Sequence, residues 1–232
     1  MRIVPRIIAI SAYLSGIAGL GLFFVYVIGN GTGYVSFGAG AEGVRASLNN
    51  LGWLLLFALQ HSGMARQSCK RWLPTALERS IYVAISGIVL AGLALCWQPL
   101  PGDPIWHGPL WIEAIALSAL VGAGGCCLRF NHLSFLGLQQ AWTGDAATQG
   151  PLLIDGPYRF VRHPLMLGFL IALWAQPMMP PALLMLNAGM TIYILIAIQF
   201  EERDLIRQFG ADYKIYRRKV PALIPFWNRI PS

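Results

Sequence analysis

Long apolar runs are the feature that most constrains the fold of this chain. A helix that crosses a bilayer needs about 20 apolar residues. The sequence has four such runs, at about 6 to 29, 47 to 65, 79 to 97 and 109 to 130. A fifth run, 164 to 200, is too long for one crossing, and its prolines at 177, 180 and 181 predict a break into two helices, the first of them short. We therefore expect an all-α, polytopic integral membrane bundle with six spans, or five if the short helix is not counted.

Composition supports a membrane protein. Hydrophobic residues make up 56% of the 232 positions and charged residues only 12%, which is too apolar for a soluble domain of this length. We expect a single domain over residues 1–232. Residues 1–130 hold four spans, and residues 131–232 hold a loop, a helical hairpin and a C-terminal cap. The cysteines and histidines lack the spacing of a metal site, so we expect no metal.

Basic residues give the orientation. If the N-terminus is cytoplasmic, 16 of the 17 Lys and Arg residues fall on the cytoplasmic side and only Arg45 lies outside. This predicts a multi-pass protein, of the bacterial inner membrane, whose polar clusters face the cytoplasm. The net charge of +7 then reflects contact with lipid headgroups. We expect the bilayer as a partner and no nucleic acid; the oligomeric state is left open.

The first polar cluster stands before the fifth apolar run. Arg162 and His163 precede Pro164, a residue well suited to the first turn of a helix because it has no N–H to satisfy there. A helix start beside an Arg and a His can receive an anion such as a carboxylate. The alternative is structural: Arg159 and Arg162 anchor the chain at the interface and His163 caps the helix.

The second polar cluster follows the last apolar run. Glu201 and Glu202 emerge from that run, and carboxylates at a membrane border are costly unless they are paired or bind something. They can serve a ligand, or they can pair with Arg159, Arg162 or Arg203 in a structural network. Either way, the two clusters should meet at one membrane face.

A third set of polar residues lies at the same level. Gln60, His61 and Ser62 end the second run, and Asn131 and His132 follow the fourth. Interfacial histidines are commonly hydrogen-bonded structural groups. Two of them at one level make a functional role a comparable alternative.

Two motifs in the last third carry a family resemblance. GPYRFVRHPLMLGF, followed by EERDLIRQFGADYKIYRRKVPALIP, resembles the C-terminal signature of the isoprenylcysteine carboxyl methyltransferase-like superfamily, which includes phospholipid methyltransferases. LLFALQHSGMAR, ERSIYV, WQPLPGDPIW and NHLSFLGLQQAW are similar to one branch, the bacterial methanethiol S-methyltransferases. The resemblance implies an enzyme that uses S-adenosylmethionine to convert methanethiol, a small thiol, to dimethyl sulfide.

The resemblance also implies a cofactor pocket. Its expected residues, which combine the family motif with the two polar clusters, are Gly150, Pro151, Leu152, Leu153, Tyr158, Arg162, His163, Pro164, Leu165, Met166, Glu201 and Glu202. The helix start with Arg162 and His163 suits the cofactor carboxylate, and Glu201 or Glu202 suits its amine or ribose hydroxyls. Which glutamate takes which group is open.

Two departures from the superfamily pattern bear on the chemistry. Met166 replaces the tyrosine of the RHPxYxG motif, and Ala197 stands where prenylcysteine enzymes carry an arginine four residues before the glutamate. The loss of that cation argues for a small neutral acceptor or thiol.

A thiol becomes a nucleophile only as its thiolate, so a base or a nearby cation should help. The candidates are His61 and His132, with His61 ranked first, and Arg129 or Arg162 as electrostatic support. Other acceptors, a phospholipid amine or a prenylcysteine carboxylate, would keep the same cofactor pocket. The non-enzymatic alternative is a small transporter or a heme-linked membrane protein that uses its histidines.

Overall fold

The fold is helical, in a computed structural model that describes residues 3–33, 43–129, 132–144 and 150–225, apart from the side chains at 67, 68 and 132. The helices are α1 (Ile3–Thr32), α2 (Gly43–Met64), α3 (Gln67–Lys70), α4 (Glu78–Cys96), α5 (Ile112–Leu128), α6 (His132–Phe135), α7 (Leu138–Thr143), α8 (Pro164–Trp174), α9 (Pro181–Phe209) and α10 (Ala211–Lys219). A 3-10 turn covers Gly156–Arg159. The described part contains no strand, only one isolated bridge between His107 and Met178.

Six of these helices coincide with the six expected spans. Three of them, α1, α4 and α9, are long and apolar enough to cross a membrane, while α5 and α8 are shorter apolar helices. Helix α2 has 22 residues but carries polar side chains, among them Asn49, Asn50 and His61. The membrane bundle is therefore confirmed, and the number of crossings stays a prediction. The break in the fifth run is also confirmed, since α9 begins at Pro181 after an α8 of only 11 residues.

Many large apolar side chains point away from the protein. Ile7, Leu14, Val121 and Leu195 are exposed, and they lie on three different helices, α1, α5 and α9. Such a surface is stable against lipid and not against water. The protein is an integral membrane protein.

Glycines let neighbouring helices approach closely. A Cβ on Gly19 of α1 would lie 2.0 Å from the carbonyl oxygen of Gly87 in α4. A Cβ on Gly168 of α8 would lie 2.9 Å from the Ala119 oxygen and 2.8 Å from Ala123 Cβ, both in α5. In lipid there is no hydrophobic driving force between helices. Small residues at such crossings let the backbones approach closely enough for van der Waals packing to hold the helices together. The contact of Gly168 holds α8 against α5 and so positions the first polar cluster, which lies at the start of α8.

The helix ends gather at two opposite faces. At one face, the Met178 N–H donates to the Gly31 oxygen and Asn50 is bonded to the backbone of Gln98. At the other face lie the end of α2 and the starts of α4 and α8, together with the end of α9 and α10. Every described Lys and Arg except Arg45 belongs to this second face, named here the polar face. The basic residues thus lie at one face. The cytoplasmic orientation of this face and the division of the chain at residue 130 stay predictions.

Candidate active site

The start of α8 is tied to the C-terminal tail. The backbone N–H groups of Arg162 and His163 donate to the carbonyl oxygens of Pro221, at 2.9 Å, and Ala222, at 3.1 Å. Pro164 is the first residue of α8, and the helix start has no side-chain cap. Backbone N–H groups in the first turn of a helix lack partners within the helix. This turn, which includes Leu165 and Met166, can therefore receive an anion.

Arg162 and Glu202 form a buried ion pair beneath that helix start. The Arg162 Nε–H donates to Glu202 Oε1 at 2.8 Å, and its Nη2 donates to the same oxygen. Arg162 Nη1 donates to the carbonyl oxygens of Arg217, at 3.1 Å, and Val220. Glu202 is only 4% exposed, and its second oxygen lies 3.1 Å from Nε of Arg217. Both partners are thus engaged with the protein itself.

His163 connects the two glutamates. Its Nε2 lies 3.3 Å from Glu202 Oε1, and its Nδ1 lies 3.5 Å from Glu201 Oε2. Burial by itself lowers the pKa of His163, but hydrogen bonds and charge from Glu201 and Glu202 outweigh it, so the net pKa is raised. An imidazole with a carboxylate at each nitrogen is best satisfied as the imidazolium, which donates from both.

The neighbouring glutamates differ in their surroundings. The Glu201 side chain is 46% exposed and faces only His163 among the ion pairs of the described residues, whereas Glu202 is enclosed by Arg162, His163 and Arg217. A half-exposed carboxylate with one distant partner keeps the capacity to accept further hydrogen bonds. Of the two glutamates, Glu201 is the one free to meet a ligand.

Three tyrosines form an apolar floor beside the helix start. Tyr158, Tyr213 and Tyr216 pack together, and Leu152 and Leu153 lie against them. The Tyr216 hydroxyl donates to the Tyr158 carbonyl oxygen at 2.7 Å, and burial raises the pKa of Tyr216 to about 12. The hydroxyl therefore stays protonated and holds α10 against the turn at Gly156–Arg159. Gly150 and Pro151 precede this floor and are exposed.

Arg129 is tied to the same loop. Its Nη2 lies 2.5 Å from Asp155 Oδ2, and its guanidinium lies over Gly156, where a Cβ would come within 3.1 Å of Nη1. Gly156 has φ +56°, a conformation that glycine adopts without strain. Arg129 thus joins the end of α5 to the loop that leads into the first cluster.

His61 lies in a separate group at the polar face. Its Nε2 is 2.6 Å from the Tyr82 hydroxyl, and its Nδ1 is 3.1 Å from Ser86 Oγ, both on α4. Its ring stacks on Phe57 and meets the edge of Tyr193 from α9. Gln60 Nε2 donates to Ser86 Oγ at 3.2 Å. We call this group, Phe57, Gln60, His61, Tyr82, Ser86 and Tyr193, the His61 cluster.

The third polar set is only partly described. The backbone of His132 begins α6, but its side chain and the whole of Asn131 lie outside the described residues. No side-chain contact can be assigned to His132. Among the described residues, no group of three or more His, Cys, Asp and Glu could hold a metal ion.

The chain matches known methyltransferases in sequence. A family model described as phospholipid methyltransferase matches residues 114–212. Methanethiol S-methyltransferase 2 of Bradyrhizobium diazoefficiens is 44% identical over 200 residues, which cover 78% of this chain and 74% of the relative. The Mycobacterium tuberculosis methanethiol S-methyltransferase is 41% identical over 197 residues, which cover 80% of each chain. Methanethiol S-methyltransferase 1 of B. diazoefficiens is 39% identical over 245 aligned positions, which cover 97% of this chain and 85% of the relative.

The chain belongs to the methanethiol S-methyltransferase family. The resemblance read from the motifs is confirmed, and the protein is a membrane methyltransferase. No solved structure matches the chain.

For this methyltransferase, the fold brings most of the expected cofactor residues together at the start of α8. Arg162, His163, Glu201 and Glu202 meet there, with Tyr158, Leu152 and Leu153 beside them. Met166 is directed differently: it packs against the hydrophobic core of the bundle. The binding roles of all these residues stay predictions.

Sequence reasoning overlooked three residues of the methyltransferase that the fold brings to these groups. Arg217 pairs with Glu202, and Tyr82 and Ser86 hold His61. A signal existed for the last two, because they are four residues apart on α4 and so share one helical face. For Arg217 the signal was weaker, since it stands among Lys214, Arg218 and Lys219, which look alike in sequence.

Proposed function

We propose that the protein transfers a methyl group from S-adenosylmethionine to methanethiol and so forms dimethyl sulfide. Family membership supports the reaction class, and the relatives' names support the acceptor. The observation that carries the cofactor site is the pairing of a half-exposed Glu201 with His163 at the start of α8.

The residues at the start of α8 fit the charges of the cofactor. The first-turn N–H groups and the cationic His163 suit a carboxylate, and Glu201 suits an ammonium group or ribose hydroxyls. Arg162 and Glu202 hold this geometry by pairing with each other and with the tail at residues 217–222. In this proposal they support the site, and Glu201 takes the ligand.

The loop and the tyrosine floor provide the remaining walls. Leu152 and Leu153 are half-buried against Tyr158, and this apolar surface suits a flat aromatic group such as adenine. Arg129 holds the loop through Asp155. S-adenosylmethionine, when bound, supplies a methyl group on a sulfonium. The chain's residues orient the reactants and exclude water, and such positioning accounts for much of the rate in reactions of this kind.

Helix α9 favours a small acceptor. Ala197 lies one turn before Glu201, and its methyl group cannot pair with an acceptor carboxylate as an arginine at this position would. Methanethiol is small and uncharged and needs no such partner. The distribution of Lys and Arg supports a cytoplasmic orientation of the polar face in a bacterial inner membrane, where the water-soluble cofactor is available.

A phospholipid amine is the second candidate acceptor. The match of residues 114–212 to the phospholipid methyltransferase model favours it. That range covers most of α5, the whole of α8 and α9 and the cofactor residues, so it supports the donor site more directly than the acceptor. The His61 cluster, whose residues lie on α2 and α4 apart from Tyr193, is mostly outside the matched range.

A substrate panel tests the proposal. Purified protein in detergent is incubated with S-adenosylmethionine and methanethiol, phosphatidylethanolamine or a prenylcysteine. Dimethyl sulfide is measured in the headspace, and methylated lipid or prenylcysteine is measured by mass spectrometry. Of the three acceptors, we expect only methanethiol to give a methylated product. Calorimetric binding of S-adenosylmethionine without dimethyl sulfide formation contradicts the thiol acceptor, and product with the phospholipid supports the second candidate. Absence of cofactor binding contradicts the whole proposal.

A further inference from the structure

His61 is enclosed by hydroxyl groups. Both of its ring nitrogens are occupied, Nε2 by Tyr82 at 2.6 Å and Nδ1 by Ser86 at 3.1 Å. Phe57 stacks on one side of the ring, with centroids 5.2 Å apart. A thiol could reach His61 directly only by displacing one of these hydroxyls. Of these two hydroxyl groups, that of Ser86 belongs to a buried residue and that of Tyr82 to a half-buried one. An acceptor can therefore meet Tyr82 before Ser86.

The hydrogen bonds have a preferred direction. Gln60 Nε2 donates to Ser86 Oγ, and an Nδ1–H on His61 can donate to the same oxygen. A hydroxyl oxygen has two lone pairs, so it can accept both. This tautomer leaves Nε2 of His61 without a proton, as an acceptor for the Tyr82 hydroxyl. Tyr82 therefore donates its phenolic hydrogen bond to Nε2 of His61.

A cation and several aromatic rings surround Tyr82. The Arg79 guanidinium lies over the Tyr82 ring, 5.1 Å from its centroid. A cation at that distance is attracted to an aromatic ring, and more strongly to a phenolate. The rings of Phe57, Tyr82 and Tyr193 around His61 offer the aromatic contacts that sulfur compounds prefer.

Helix α9 connects this cluster to the cofactor residues. Tyr193, Ala197 and Glu201 are spaced by four residues, so they lie along one face of the helix. Eight residues rise about 12 Å along an α-helix, a length that an extended nucleoside-sized molecule can span. The side chain between Tyr193 and Glu201 on this face is only the methyl group of Ala197. A donor held at Glu201 therefore lies on the same face of α9 as Tyr193 of the His61 cluster.

We propose that Tyr82 is the catalytic residue that receives the thiol proton, with His61, Ser86 and Gln60 as positioning residues behind it. This rests on the methyl transfer to a small thiol proposed above. The S–H proton passes to Tyr82 Oη while the phenolic proton moves to His61 Nε2. The thiol sulfur forms a bond to the donor's methyl group as the methyl–sulfonium bond breaks. The electron pair of that bond stays on the donor sulfur, which becomes a neutral thioether.

Acceptors of different acidity test the proton transfer. Tyr82→Phe should lower kcat with methanethiol by about 100-fold, a typical contribution of general base catalysis. With trifluoroethanethiol, a more acidic thiol that is already largely ionised, the loss should be less than about 10-fold. Tyr26→Phe is the matched control, because it removes a buried hydroxyl in the outer half of α1 and should leave kcat unchanged. Equal losses of Tyr82→Phe on both thiols, or no loss on either, would overturn the proposal.

A second readout needs no turnover. Nitrogen NMR of histidine-labelled protein without cofactor should show His61 becoming protonated when the acidic thiol is added at a pH below the pKa of the thiol, where it still carries its proton. His61→Gln assigns the signal among the four histidines. The change should be absent in Tyr82→Phe. Protonation of His61 in that variant would show that the thiol reaches the imidazole directly and would overturn the role of Tyr82.

The two proposals fail in distinguishable ways. If wild-type protein binds S-adenosylmethionine but forms no dimethyl sulfide, the thiol acceptor is wrong and the role of Tyr82 falls with it. If wild-type protein forms dimethyl sulfide and Tyr82→Phe matches its kcat on methanethiol, only the role of Tyr82 is wrong. Unchanged calorimetric affinity for S-adenosylmethionine in Tyr82→Phe checks that the variant is folded.

Discussion

The Arg162 guanidinium and the Glu202 carboxylate, 40 positions apart in the sequence, form a buried ion pair with Nε and Oε1 2.8 Å apart. The same guanidinium binds the carbonyl oxygens of Arg217 and Val220. A single pair thus joins the start of α8, the end of α9 and the segment after α10. This pairing makes two adjacent glutamates unequal, because Glu202 supports the fold while Glu201 remains half-exposed.

Glu202→Gln should destabilise the protein. The substitution leaves Arg162, only 8% exposed, without its charged partner, and breaking a buried pair costs about 3 kcal/mol. We expect a lower thermal unfolding midpoint in detergent, measured by light scattering or intrinsic fluorescence. Asp204→Asn is the control, since it removes an exposed carboxylate only two positions further along α9. An unchanged midpoint for Glu202→Gln would mean that the pair contributes little to folding.

Glu201→Gln should weaken cofactor binding more than it destabilises the fold. Because its side chain is half-exposed, the unfolding midpoint should fall less than in Glu202→Gln, by no more than the loss of the pair with His163. The affinity for S-adenosylmethionine should fall at least about 10-fold, because a hydrogen bond to a charged group is lost. Isothermal titration calorimetry measures this. Wild-type affinity in Glu201→Gln would remove Glu201 from the cofactor site.

Gly168→Ala should weaken the contact between α8 and α5. The added methyl group would lie 2.9 Å from the Ala119 oxygen, and overpacking of this kind costs about 2 kcal/mol. Because the contact fixes the start of α8, cofactor affinity should fall together with the unfolding midpoint. Gly124→Ala on α5 is the control: nothing lies within 4 Å of its added Cβ, so helix propensity alone should stabilise it slightly. Equal midpoints for the two variants would contradict this account.

Local sequence features predicted the elements but not their pairing. Apolar length and proline chemistry are local properties, so the six helices and the break before Pro181 could be read from the sequence. The meeting of Arg162, His163 and the two glutamates followed from counting the crossings between them. The choice of Glu202 over Glu201 as the partner of Arg162 did not. Successive helical residues point about 100° apart, and which of them faces inward depends on the tail at residues 217–222.

The His61 cluster shows a second limit of sequence reading. His61 could be placed at the polar face, but its partners Tyr82 and Ser86 belong to a different helix. The rotation of α4 against α2 that brings them together depends on close packing, for instance of Gly92 against Trp53. Such a rotation is not encoded in either segment alone.

The raised pKa of His163 predicts a pH-dependent stability. Desolvation lowers this pKa, but Glu201 and Glu202 stabilise the imidazolium more strongly, so the folded protein binds the proton more tightly than the unfolded chain, whose value is near 6.5. The stabilisation is therefore complete below pH 6.5 and is lost as the pH rises through the higher folded value. We expect the difference in unfolding midpoint between wild type and His163→Gln to be largest at acidic pH and to shrink at alkaline pH. His107→Gln, which removes an exposed imidazole at the opposite face, gives the background. A difference that stays constant or grows with pH would mean that His163 is neutral in the folded protein.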